Sequence, residues 1–169
     1  MIIAVIGGDP APLWALDHAK AIGREIARRG HVLICGGRGG VMEAACKGAS
    51  EADGLTIGVL PDSDRSEMNP YVQIPIVSGI GPARNLTIAL TADAIIAVDG
   101  GYGTLSEVAF GLQHGKPIAG LGTWRLESDG ADEAPIFRAE DPVAAVTGAI
   151  EAAQANPSPT SERGTSRTE

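Results

Sequence analysis

Aromatic residues and cysteine are scarce in this sequence. Their scarcity argues against an aromatic-rich core and against a cysteine-based metal site. Phe, Trp and Tyr together make up 4% of the chain, so an apolar core has to be built mainly from Ala, Val, Ile and Leu. The two cysteines, Cys35 and Cys46, form no CxxC motif and have no metal-ligand spacing, and His18, His31 and His114 have none either. The sequence therefore predicts buried free thiols and no metal site.

Positive charge and long apolar runs are lacking as well. The net charge of -8 argues against a general nucleic-acid binder, because contacts with many phosphates require clustered Lys and Arg. It does not exclude a small phosphate ligand, which backbone N–H groups at a helix start can hold without a basic surface. No apolar run is long enough to cross a bilayer, and residues 1–9 lack the pattern of a signal peptide. We therefore expect a cytoplasmic protein without a membrane partner.

Short apolar runs alternate with helical patterns along most of the chain. Strands are predicted over residues 2–8, 31–35, 55–61, 73–77, 92–98 and 116–122, and helices over 13–29, 41–52, 81–91, 104–114 and 141–155. This alternation predicts one α/β domain over residues 1–155, a Rossmann-like doubly wound parallel sheet with helices on both faces. Ligands bind such sheets beyond the carboxyl ends of the strands. A loop is predicted at 128–135, and the polar segment 156–169 is predicted to be disordered.

Two glycine-rich turns each join a predicted strand to a predicted helix. The turns are Gly36-Gly37-Arg38-Gly39-Gly40 and Gly100-Gly101-Tyr102-Gly103-Thr104, and Gly7 and Gly8 end the first predicted strand. Glycine lets a ligand approach the backbone closely, and a helix start supplies free N–H groups and a partial positive charge. Neither turn matches the dinucleotide fingerprint GxGxxG or the P-loop. Two such turns in one small domain predict that these residues bind a phosphate-bearing ligand.

Several polar residues near these turns have both a structural and a functional interpretation. Thr104 and Glu107 form the T-x-x-E pattern of a capping box, which the spacing favours over a catalytic acid at Glu107. Arg84 and Asn85 begin a predicted helix, where the helix dipole disfavours an arginine that has no phosphate or carboxylate beside it. A solvated surface arginine is the alternative. Tyr102 could lie against a base or pterin ring, or it could be an exposed tyrosine of the turn.

The stretches 36–49, 54–61, 69–77, 83–118 and 120–124 resemble the Lonely Guy (LOG)-like superfamily. Within that superfamily they are most similar to the molybdenum cofactor carrier proteins and their uncharacterised bacterial relatives. The resemblance implies a Rossmann-like fold and a homo-oligomer, commonly a dimer.

The cytokinin-activating members of the superfamily cleave the N-glycosidic bond of nucleoside 5′-monophosphates and carry an Arg-Lys pair followed by PGGxGTxxE. By resemblance, Arg84 and Glu107 would be the catalytic pair, and the glycines and Thr104 of the second turn would hold the phosphate. Asn85 stands where those enzymes have Lys, and Asp99 stands where they have Pro. These two departures match the carrier-like branch better.

Lysine decarboxylase, a name often attached to this superfamily, is excluded on chemical grounds. A pyridoxal phosphate enzyme needs a lysine that forms a Schiff base, and the lysines here are Lys20, Lys47 and Lys116. The first two lie within predicted helices, and Lys116 precedes a predicted strand at its amino end, far from the expected ligand side.

Three hypotheses describe the function. The first is a carrier-like protein that requires no cofactor of its own and binds a nucleotide or the molybdenum cofactor. The second is a nucleoside 5′-monophosphate phosphoribohydrolase, and the third is a nucleotide sensor acting on a partner protein. Asn85 and Asp99 favour the first hypothesis, the retained Arg84 and Glu107 favour the second, and no feature of the sequence points to the third.

Overall fold

The computed structural model describes residues 1–127, 129–130 and 133–156. Within these residues strands and helices alternate as the sequence predicts, and none of the helices is both long and apolar enough to cross a membrane. All of the predicted tail except Asn156 lies outside the described residues, and so do parts of the predicted loop at 128–135.

The elements lie close to their predicted positions. The strands are β1 (Ile2–Gly7), β2 (Val32–Cys35), β3 (Thr56–Leu60), β4 (Ile74–Val77), β5 (Ala94–Val98), β6 (Ile118–Leu121) and β7 (Ile136–Arg138). The helices are α1 (Leu13–Arg28), α2 (Val41–Ser50), α3 (Arg84–Thr91), α4 (Tyr102–Gln113) and α5 (Pro142–Ala155). Strand β7 was not predicted, because three residues are too few to carry a periodicity signal.

The strands form one parallel sheet in the order β4-β3-β2-β1-β5-β6-β7. From β1 the chain winds outward to β4, returns to place β5 on the other side of β1, and then continues outward to β7. This is the predicted doubly wound topology, and its switch point lies between β1 and β5, where Gly7 pairs with Val98. The connections diverge there, which leaves a crevice at the carboxyl ends of the two strands.

Helices cover both faces of the sheet. Buried residues of α1, α2 and α5 pack on one face, and those of α3 and α4 pack on the other. Strand β5 is buried along its whole length, in agreement with the apolar run 94–98 and with the predicted central strand at 92–98. Cys35 and Cys46 are buried free thiols, as predicted, with their Sγ atoms 3.4 Å apart.

Candidate functional site

A cleft of about 520 Å³ opens at the switch point between β1 and β5. It brings together these predicted site residues: Gly7, Gly8, Arg38, Arg84, Asn85, Gly101, Tyr102, Gly103, Thr104 and Glu107. The sequence analysis missed three further lining residues, Asp9, Pro10 and Met42. The first two directly follow Gly8 at the carboxyl end of β1, so the rule that ligands bind beyond the strand ends could have found them.

The remaining predicted glycines are not part of the lining of the cleft. These are Gly36, Gly37, Gly39, Gly40 and Gly100. A side chain at Gly36 would overlap the guanidinium of Arg84, and a side chain at Gly40 would overlap the carbonyl oxygen of Gly8. The first glycine turn is therefore packed tightly against the residues that form the cleft.

Arg84 is the buried cation of the site. It begins α3, and its side chain is 10% exposed, so the alternative of a solvated surface arginine is wrong. Its Nε and Nη1 atoms have no hydrogen-bond partner among the described residues. Burial lowers the pKa of Arg84, and the attraction of Glu107 partly opposes that shift. A buried cation with unmade hydrogen bonds destabilises the fold. An anionic ligand beside Arg84 would neutralise its charge and accept the missing hydrogen bonds.

Glu107 faces Arg84 from α4. Its Oε1 atom lies 3.8 Å from Nη1 of Arg84, which is within the range of an ion pair but too long for a hydrogen bond. Burial raises the pKa of Glu107 to about 7, and the nearby Arg84 opposes this rise without cancelling it. Both protonation states of Glu107 are therefore populated near neutral pH, which suits a group that gives or takes a proton.

The capping-box prediction is wrong. Helix α4 begins at Tyr102, two residues before Thr104, and no side chain caps it. Thr104 packs over Gly100 instead, and Glu107 lies inside the helix, where its side chain is directed at Arg84. The T-x-x-E spacing predicts a helix that starts after Thr104. The preceding glycines instead place the helix start at Tyr102.

The first turn of α4 presents unpaired amides to the cleft. The first intrahelical bond runs from the amide of Leu105 to the carbonyl of Gly101, at 3.0 Å, so the amides of residues 102–104 have no acceptor in the helix. The positive end of the helix dipole lies at the same place. In α2, by contrast, the amide of Val41 already donates to the carbonyl of Gly8 at 3.0 Å. The second glycine turn, residues 100–104, is therefore better suited to bind an anion, and we call it the anion cradle.

Asn85 fixes the position of this cradle. Its Nδ2 group donates to the hydroxyl of Ser106 at 2.8 Å and to the carbonyl of Gly103 at 3.3 Å, which ties α3 to the first turn of α4. The hydroxyl of Ser106 donates in turn to the carbonyl of Gly103 at 2.6 Å.

The backbone at Asp99 excludes proline. Asp99 has a φ of 52°, whereas the ring of proline fixes φ near -65°. A turn that begins with proline, as in the signature of the phosphoribohydrolases, therefore cannot have this conformation. The conformation is held by Thr123, whose hydroxyl donates to the carbonyl of Asp99 at 2.7 Å.

The lysines lie away from the cleft. Lys20 pairs with Glu51, Lys47 lies over the ring of Tyr71, and none of the three lysines is part of the lining. Their positions agree with the chemical argument against a Schiff-base enzyme.

The raised pKa of Glu107 predicts a pH-dependent stability. Between the ordinary value of 4.5 and about 7, the folded chain holds a proton on Glu107 that the unfolded chain releases. Stability from this group is therefore fully present below pH 4.5 and is lost as the pH rises through 7, by up to about 3 kcal/mol. Urea unfolding across this range should show the loss in the native protein and not in Glu107→Gln. The exposed Glu151→Gln is the control, and an equal pH slope in all three proteins would contradict the prediction.

Comparisons with known proteins agree with this architecture. The sequence profile of the SLOG cluster4 family (LDcluster4) matches residues 1–146. An uncharacterised protein of Archaeoglobus fulgidus is 45% identical over 121 residues, which are 72% of this chain and 80% of that protein. The cytokinin riboside 5′-monophosphate phosphoribohydrolase LOG of rice is 35% identical over 96 residues, which are 54% of this chain and 39% of the enzyme.

Two solved structures are similar over nearly the whole chain. The molybdenum cofactor carrier protein of Chlamydomonas reinhardtii is 38% identical, with a TM-score of 0.77, and the match covers 91% of this chain and 98% of that one. The molybdenum cofactor binding protein of Rippkaea orientalis is 36% identical, with a TM-score of 0.76, and the match covers 91% of this chain and 95% of that one.

Proposed function

This chain belongs to the SLOG cluster4 family, and we propose that it is a carrier-like protein that binds a phosphate-bearing small molecule beside Arg84. The ligand is a nucleotide or the molybdenum cofactor, which carries a phosphate on its pterin. The proposal is supported by the similarity to the carrier protein of Chlamydomonas reinhardtii and by the chemistry of the cleft.

One observation carries the proposal. Arg84 is buried with unmade hydrogen bonds, and it lines the same cleft as the unpaired amides of residues 102–104. A phosphate placed between them would accept hydrogen bonds from both and would neutralise the arginine. Stability of the unliganded chain alone does not explain the buried cation.

Calorimetry tests the proposal directly. Inorganic phosphate, ribose 5-phosphate, AMP, GMP and cofactor released anaerobically from a molybdoenzyme would be titrated into the pure protein. We expect saturable binding of at least one of them, and the organic phosphates should bind more tightly than phosphate alone. Failure of all five to bind would overturn the proposed function.

Glu107 should make this binding dependent on pH. A carboxylate next to Arg84 repels an incoming phosphate, so binding should be tightest when Glu107 is protonated. We expect the affinity for an organic phosphate to fall as the pH rises through about 7, the pKa of Glu107. In Glu107→Gln this component of the pH dependence should vanish, which leaves only the titration of the phosphate itself. An unchanged profile in the variant would contradict the prediction.

The alternative function is hydrolysis of a nucleoside 5′-monophosphate. It is favoured by Glu107, whose raised pKa suits it to act as the base that activates water. The pure protein would be incubated with a panel of nucleoside monophosphates and assayed for free base by chromatography. Base release that is lost in Glu107→Gln would assign the hydrolase. Binding without release would leave the carrier function.

We also propose that the protein is a homo-oligomer, as the superfamily resemblance implies, and that it is cytoplasmic, as its free cysteines and the pattern of residues 1–9 favour. Light scattering on the purified chain measures the assembly directly. A monomeric mass across the accessible concentration range would contradict the assembly.

A further inference from the structure

Tyr102 is a large aromatic side chain that the fold leaves exposed at the edge of the cleft. It is the first residue of α4, it lies between Gly101 and Gly103, and 83% of its surface is exposed. Aromatic residues are only 4% of the chain, and burial of such a ring is ordinarily favourable. The ring is therefore free to contact a ligand held in the anion cradle.

Trp124 holds this tyrosine in place. The two rings stack at an interplanar angle of 28° with their centroids 6.0 Å apart. The indole N–H of Trp124 donates to the carbonyl of Gly101 at 3.3 Å, the same carbonyl that accepts the first helical bond of α4. The aromatic pair is thus anchored to Gly101. Because Tyr102 directly follows Gly101, the backbone of these two residues sets the distance between the tyrosine ring and the anion cradle.

A supported ring with an open face is suited to stack against another planar ring. Stacking of a base on an aromatic side chain is tolerant of the ring's identity, because every heteroaromatic ring has a π face. Arg84 and the amides of residues 102–104 would hold the phosphate end of such a ligand at the same time. A sugar phosphate that has no ring would use the cradle and leave the aromatic pair unused.

We propose that Tyr102, supported by Trp124, is the stacking subsite for a planar heteroaromatic ring on the phosphate-bearing ligand. The subsite selects ring-bearing phosphates over sugar phosphates that lack a ring. This inference rests on the proposed function, because the cradle has to hold the phosphate for the ring to reach Tyr102.

Calorimetry with ligands that share a phosphate but differ in the ring measures the phosphate site and the stacking subsite separately. GMP and AMP should bind about tenfold more tightly than ribose 5-phosphate. Tyr102→Ala should remove this advantage while leaving the affinity for ribose 5-phosphate unchanged, and Tyr102→Phe should retain it, because the ring and not the hydroxyl does the stacking. Trp14→Phe makes Trp124 the sole tryptophan, and its fluorescence should change with GMP but not with ribose 5-phosphate.

The outcomes distinguish this inference from the proposed function. If ribose 5-phosphate binds as tightly as the nucleotides, or if Tyr102→Ala weakens all three equally, the stacking subsite is overturned and the phosphate site stands. If none of the three ligands binds, the proposed function falls and the subsite falls with it.

Discussion

Replacement of Arg84 by Met should weaken the binding of an organic phosphate by about 100-fold or more while leaving the unliganded protein at least as stable. The loss follows because a buried cation that hydrogen-bonds a phosphate is worth several kcal/mol. Stability should not suffer, since the native Nε and Nη1 atoms have no partner to lose. Without the cation, the pKa of Glu107 should rise further, so Glu107 would remain neutral in its buried position.

Calorimetry and urea unfolding on the same preparations measure both effects. Arg24→Met is the matched control, because it removes one positive charge from a half-exposed ion pair with Glu51 on the outer surface of α1. Its binding should equal that of the native protein. A similar loss of affinity in both variants would mean that net charge, and not the buried arginine, attracts the ligand.

Replacement of Gly103 by Ala should weaken phosphate binding by about 10- to 100-fold without disturbing the fold. A Cβ at Gly103 would meet no atom of the protein within 4 Å, and the residue is already helical, so packing does not require glycine there. In a helix, alanine is favoured over glycine by about 0.5–1 kcal/mol. The added methyl group would instead occupy the cradle and push the phosphate away from the amides of residues 102–104.

Two further variants make the result specific. Gln113→Ala, at the other end of α4, changes helix propensity without touching the cleft and should bind normally. Gly36→Ala should also lose binding, but through displacement of the Arg84 guanidinium, which its new methyl group would overlap. Gly103→Ala protein that is stable and binds phosphate as tightly as the native protein would refute the assignment of the cradle.

Sequence reasoning was most successful where a local pattern has a single structural outcome. The segment 92–98, with its short apolar run, predicted a central strand, and β5 is a strand that is buried along its whole length. Asp141 before Pro142 predicted the start of α5, where the Asp141 carboxylate accepts the amide of Ala144 at 2.8 Å. Local patterns failed at Thr104 and Glu107, because the capping spacing does not record where the preceding glycines place the helix start.

By itself the sequence determined the alternation of strands and helices, the parallel sheet and the edge at which a ligand would bind, because periodicity and glycine turns are local properties of the chain. Only the tertiary structure decided that residues of both glycine turns line one cleft. It also decided that Arg84 is buried beside Glu107, because these side chains come from α3 and α4 and meet across a distance that no spacing in the sequence encodes. The raised pKa of Glu107 has the same origin, since desolvation depends on everything packed around a carboxyl group and not on its neighbours in the chain.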